Sequence, residues 1–189
     1  MLFGKIDLLF QASLSLGCFF VWSCENDVSQ IDNLLQKKTA IEEGRGIDSY
    51  LSEGGKLKAR LTSPYMLRYQ ADSPFVEFPR TLHVIFYNDS AVVETTLDAR
   101  YAKSREYDEK IFLRDSVVVI NKLKGDTLRT DELWWDQKTE EFYTDKDVRI
   151  HQRDKTIFGK GLRGLQNFTR YTIDTITGIV LVPPDGIPK

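Results

Sequence analysis

A strand–turn–strand unit recurs along this chain about every 30 residues, and units of that kind cannot stand alone. Four blocks carry the repeat, at residues 78–86, 112–120, 142–150 and 171–179. Each block opens with an aromatic residue and has Asp or Thr three positions later. The first three place Val at the seventh position (Val84, Val118, Val148) and a large apolar residue at the ninth (Phe86, Ile120, Ile150). Further β-like runs lie between the blocks, at residues 93–102, 127–135 and 156–165. Turn sequences such as Asn88-Asp89-Ser90, Lys124-Gly125-Asp126 and Gln152-Arg153-Asp154 separate them. A two-stranded unit leaves one apolar face uncovered, so stacked units must bury that face together. The expected fold is therefore all-β: an antiparallel β-jelly-roll or open sandwich built from strand–turn–strand repeats.

Side chains alternate between the two faces of a strand. That alternation places Val84, Phe86, Val118, Ile120, Val148 and Ile150 on equivalent, inward faces, with His83, Asp147 and Arg149 opposite them. Val117 to Ile120 are apolar on both faces, which suggests a strand covered on both sides. Trp134-Trp135 must send one ring inward and one outward.

The N-terminus reads as an address. Residues 8–23 are mostly apolar and uncharged, and as a helix they would span about 24 Å, short of a bilayer's hydrocarbon core. That length suits a signal peptide. The run ends at Val21-Trp22-Ser23-Cys24, before an abrupt switch to Glu25-Asn26-Asp27. A small residue before a cysteine after an apolar run resembles a bacterial lipoprotein processing site, which implies that Cys24 becomes the lipidated first residue. Cys18 competes, but cleavage there would leave Phe19-Phe20-Val21-Trp22 exposed. An uncleaved anchor remains the other reading. Residues 24–57 are expected to be a tether with some helix, because Val28, Ile31, Leu34 and Leu35 recur at helical spacing until Gly44-Arg45-Gly46. The expected division is thus 1–23 signal peptide, 24–57 tether, 58–182 β domain and 183–189 tail.

Little in the sequence suggests catalysis. A net charge of −2, from 26 Lys+Arg against 28 Asp+Glu, argues against a nucleic-acid binder. Two histidines and two cysteines leave little for a metal site, and no cofactor or metal is expected. His83 and His151 have no motif around them. Gly159-Lys160-Gly161-Leu162-Arg163-Gly164 has the spacing of a phosphate loop but lies between β-like runs. It reads instead as a bulge or a close backbone approach. Asp131, Glu132, Asp136, Glu140 and Glu141 fall mostly in polar turns, where solvated charge is expected. No enzyme is expected.

One family carries these features in order. Leu128-Arg129-Thr130-Asp131-Glu132-Leu133-Trp134-Trp135-Asp136 is followed by Phe142-Tyr143-Thr144-Asp145-Lys146-Asp147-Val148-Arg149-Ile150 and then by Gly159-Lys160-Gly161. This series resembles LptC, the periplasmic component of the lipopolysaccharide-export ABC transporter, in its bacteroidete-type branch. The resemblance covers roughly residues 58–180. It departs from the branch's frequent Asp-x-Pro-Val in having Asp147 before Val148, and from the family's usual membrane helix in having the Cys24 site.

The resemblance implies a jelly roll with an open seam, along which lipopolysaccharide acyl chains move on energy supplied by a cytoplasmic ATPase. It implies a place at the periplasmic face of the inner membrane. It also implies that the chain receives lipid from the transporter and passes it to a bridge protein of related fold. On that reading Val84, Phe86, Phe112, Val118, Ile120, Leu133, Trp135, Phe142, Val148 and Ile150 line the lipid-binding interior. The final strand, residues 171–182 with Tyr171, Ile173, Ile179 and Val180, docks a partner until Pro183-Pro184 ends its pairing. The same interior residues would equally fill a solid core. The rival functions are a surface-exposed lipoprotein that binds glycans through outer aromatics such as Trp134 or Tyr143, and a small periplasmic hydrolase.

Overall fold

The computed structural model describes residues 40–70, 72–105 and 107–181. The expected signal segment, Cys24, the first part of the tether and the tail at 183–189 lie outside the described residues.

The described chain forms one 11-stranded antiparallel sheet. Its strands are β1 (Ala40–Glu53), β2 (Lys56–Gln70), β3 (Phe75–Phe78), β4 (Leu82–Tyr87), β5 (Val93–Ala99), β6 (Tyr101–Arg105), β7 (Lys110–Asn121), β8 (Thr127–Asp136), β9 (Glu141–His151), β10 (Lys155–Leu165) and β11 (Tyr171–Leu181). From β7 to β11 each strand pairs with the next as a meander. The N-terminal half is folded over. Here β2 pairs with β4 through residues 59–62 and with β3 through residues 67–69. In turn β7 pairs with β6 through residues 110–114 and with β5 through residues 118–121. Two long strands thus each change neighbours at mid-length, which bends the sheet onto itself and encloses a core.

Both changes of neighbour have a local cause. In β7, Asp115 and Ser116 hold positive φ values of 65° and 60°, a conformation that L residues adopt only under constraint. The Asp115 carbonyl accepts a hydrogen bond from the Arg100 N–H at the break between β5 and β6. In β2 the Ser63 hydroxyl bonds the Thr81 carbonyl at 2.7 Å just before Pro64.

Two expectations are corrected here. Residues 40–53 are strand, not tether: β1 pairs with β2 from Ala40↔Gln70 to Glu53↔Lys56. Pairing with β2 along nearly the whole strand gives residues 40–53 cooperative backbone hydrogen bonding, whereas a short isolated helix is marginal because its nucleation is costly. The run at 93–102 is two strands, since Arg100 parts β5 from β6 and sends them to different halves of β7.

The core is contiguous and tightly filled. Val84, Leu97, Leu113, Val119, Leu128, Leu133, Phe142 and Ile150 are fully buried, and Trp135 is 2% exposed. Three rings meet at its centre: Phe86 lies 4.9 Å from Trp135 and 5.8 Å from Phe142, both edge-on. Fully burying a side chain of this size contributes roughly 2–3 kcal/mol, so these rings anchor the two halves of the sheet to each other. The Trp135 indole N–H donates to Gln166 Oε1 at 3.1 Å. Beyond Gln166, Phe168 turns back at φ 55° and is fully buried against Tyr171, with ring centroids 4.8 Å apart.

Candidate functional site

The two ends of the sheet are its open features. Among the described residues β1 pairs only with β2 on one side, and β11 only with β10 on the other. Within the described residues their outer edges therefore carry backbone N–H and C=O groups with no strand beside them.

Exposed apolar side chains stand on the inner face of each edge. Leu51 stands opposite the buried Ala59, which puts it on the core side of β1, yet it is 45% exposed. On β11, Ile179 stands opposite the buried Ile157 and Ile176 opposite the buried Gly159. Ile179 and Ile176 are exposed, and Leu181 more so, at 75%. Nearer the start of β11, Tyr171 and Ile173 pack against the core. Burial and the charge of Asp126 hold the Tyr171 phenol above its ordinary pKa, so it stays neutral on this apolar face. The core is sealed within and greasy at its two margins.

A mouth lies at one end. A cavity of about 500 Å³ has Ala59, Phe86 and Trp135 on its floor, with Leu51 beside them and Lys58 and Lys138 at its rim.

The expected interior set divides. Val84, Phe86, Leu133, Trp135, Phe142, Val148 and Ile150 are buried in the core. Phe112, Val118 and Ile120 are not: they are half-buried on the opposite face of β7, and Ile111, Leu113, Val117 and Val119 take the inward places. The repeat alignment is one residue out of phase on this strand. A run apolar on both faces gives period-two reasoning no basis for choosing, and the pairing Leu113↔Leu133 decides. In β11, the strand expected to dock a partner, Tyr171 and Ile173 turn to the core and Ile179 to the open inner margin. Val180, opposite Thr156, faces outward.

On the outer face Phe112 packs against Trp134 at 4.9 Å, and Trp134 stacks with Tyr143 at 6.2 Å. Arg105 covers Trp134 at 5.3 Å and Arg163 covers Tyr143 at 5.1 Å. On the same side of the sheet His83 Nδ1 sits 2.6 Å from Asp98 Oδ1, both side chains being well exposed. The glycine series proves structural. Gly161, at φ 71°, fills the register shift between β9 and β10, while Gly159 and Gly164 lie where a Cβ would meet β11 at 2.5 and 2.7 Å. Among the described residues no group of three His, Cys, Asp or Glu side chains is placed to hold a metal, and no helix is long and apolar enough to cross a membrane.

A family model for lipopolysaccharide-assembly, LptC-related proteins matches residues 21–173. The chain belongs to the LptC family. A comparison with curated proteins finds no match. Membership carries a role in lipopolysaccharide transport at the level of the family, on the periplasmic side and in association with the inner membrane. The match ends within β11, so the exposed inner margin formed by Ile176, Ile179 and Leu181 lies beyond the matched part of this LptC-family chain.

Proposed function

We propose that the chain accepts lipopolysaccharide from an inner-membrane ABC transporter and passes it along a bridge of related jelly rolls toward the outer membrane, acting as a carrier and not as an enzyme. The observation that carries this reading is the pair of open margins. Leu51 on one side and Ile176, Ile179 and Leu181 on the other are apolar, exposed and on the inner face of the sheet. Each methylene of an acyl chain laid along such a margin contributes about 0.8 kcal/mol. The tails run over these margins and reach the wall of Val84, Phe86, Leu133, Trp135, Phe142, Val148 and Ile150 as the two edges part. Strand addition at the free edges of β1 and β11 joins the neighbouring jelly rolls. Lipidation of Cys24 keeps the domain at the membrane.

The glycan-binding reading has the outer Trp134–Tyr143 stack in its favour, but guanidinium groups lie over both rings and compete with a sugar face for them.

Photoreactive side chains in the full chain, expressed in cells with its export system, test the proposal. Lipopolysaccharide adducts are expected from positions 51 and 179 and not from Ile120 on the outer face. Adducts confined to the outer face, or their absence at both margins, overturn it.

A further inference from the structure

A cross-strand row on the outer face sets two arginines directly opposite each other. Reading from β5 to β11, the register runs Asp98, Val118, Arg129, Arg149, Phe158, Gly178. Side chains opposite one another in an antiparallel pair have Cβ atoms about 5 Å apart, and like charges so placed repel. Three other guanidinium groups are each offset by a carboxylate: Arg60 by Asp48 at 2.7 Å, Arg163 by Glu141 at 3.0 Å and Arg114 by Asp115 at 3.5 Å. Among the described residues neither Arg129 nor Arg149 has an ion pair or a side-chain hydrogen bond. Asp131 and Asp147 stand one step along the same face and line the cavity on the side toward Ser116.

The other side holds no acid. There a cavity of about 410 Å³ is lined by Thr127, Arg129, Arg149, His151, Thr156, Phe158 and Val180. Every charged or polar side chain in that set can donate a hydrogen bond, and none is a carboxylate. His151 Nδ1 lies 2.9 Å from Thr156 Oγ1, which holds that pair in place. The two remaining members, Phe158 and Val180, are exposed apolar side chains at the β11 side, and Val180 is 56% exposed. Two guanidinium forks with flanking hydroxyls match the oxygens of a tetrahedral oxyanion, and the apolar margin beside them calls for hydrocarbon.

We propose that this outer-face cavity binds the phosphate group of an amphiphile, the anion between Arg129 and Arg149 and the apolar part on Phe158 and Val180. The site lies on the opposite face from the core and its margins, so it stands or falls independently of the transport path above.

Three probes test it on the full chain, read through the arginine side-chain Nε–Hε resonances: dihexanoyl phosphatidic acid, inorganic phosphate and dihexanoyl phosphatidylcholine, each below micelle-forming concentration. Phosphatidic acid is expected to shift Arg129 and Arg149 saturably and to bind on the order of tenfold tighter than inorganic phosphate. Phosphatidylcholine, whose phosphate carries a choline, is expected to bind least. In the double variant Arg129→Gln, Arg149→Gln, read through the backbone amide resonances of His151, Thr156 and Phe158 that line the same cavity, the response is lost, whereas Arg170→Gln, a cation at another cavity, leaves it intact. Equal affinity for inorganic phosphate and phosphatidic acid overturns the amphiphile and leaves a simple oxyanion site. No shift with any probe, or an undiminished response in the double variant, overturns the site itself. Both arginines are exposed, so an unchanged β-sheet circular-dichroism spectrum separates loss of binding from loss of fold.

Discussion

Thr95 shows how few polar atoms this core tolerates. Its residue is fully buried between Phe86 on β4 and Asn121 on β7, and its hydroxyl has no hydrogen-bond partner. A buried hydroxyl left unpaired forfeits its water without compensation. Thr95→Val is therefore expected to raise stability by about 1 kcal/mol, seen as a higher urea midpoint at unchanged slope. Destabilisation would mean that the hydroxyl is satisfied in solution. The neighbouring polar side chain is different: Asn121 donates from Nδ2 to the Asn167 carbonyl at 2.8 Å and accepts the Leu123 and Lys124 N–H groups on Oδ1. It ties the β7–β8 turn to the loop that carries Phe168, a link that nothing in the local sequence announces.

At the scale of the element, β11 depends on the glycines of β10. A Cβ at Gly164 would approach Tyr171 Cβ to 2.7 Å and the Arg170 carbonyl to 3.0 Å, contacts that require backbone to move. Gly164→Val is expected to loosen β11 while the core of β4, β5, β7, β8 and β9 stays intact. Hydrogen exchange of the β11 amides should quicken by about tenfold or more, with those of β8 unchanged. Equal acceleration in both strands would show that β11 is not a separately opening edge. The glycine spacing was readable as a bulge or close approach; which strand approaches was not, because the partner lies across a turn whose length alone does not fix register.

For the described domain as a whole, the transport proposal depends on movement of the two edge strands, β1 and β11, relative to each other. Spin labels at Tyr50 and Thr177, both exposed and one on each edge strand, report it. Lipopolysaccharide is expected to lengthen or broaden their distance distribution, and an unchanged distribution would mean that the tails travel without opening the seam. In the structure Phe86, Trp135 and Phe142 pack against one another, and Phe86 and Trp135 also line the mouth of about 500 Å³.

The all-β class, the turns and the inward face of β4, β8 and β9 could be read from residue order, because alternation over a half-buried strand reports one face directly. Family membership was legible in the motifs of β8 to β10 for the same reason: they combine core positions with bulge glycines at set spacing. Three features needed the folded chain. The phase of β7 was set by its partner strands, since Val117 to Ile120 are apolar on both sides. The strand at 40–53 took its state from β2, which lies across a turn and outweighs local propensity. The Arg129–Arg149 juxtaposition arises only from register. Residue order determines what each strand offers on its two faces, but pairing between distant strands decides which faces meet, because backbone hydrogen bonding is indifferent to the side chains it brings together.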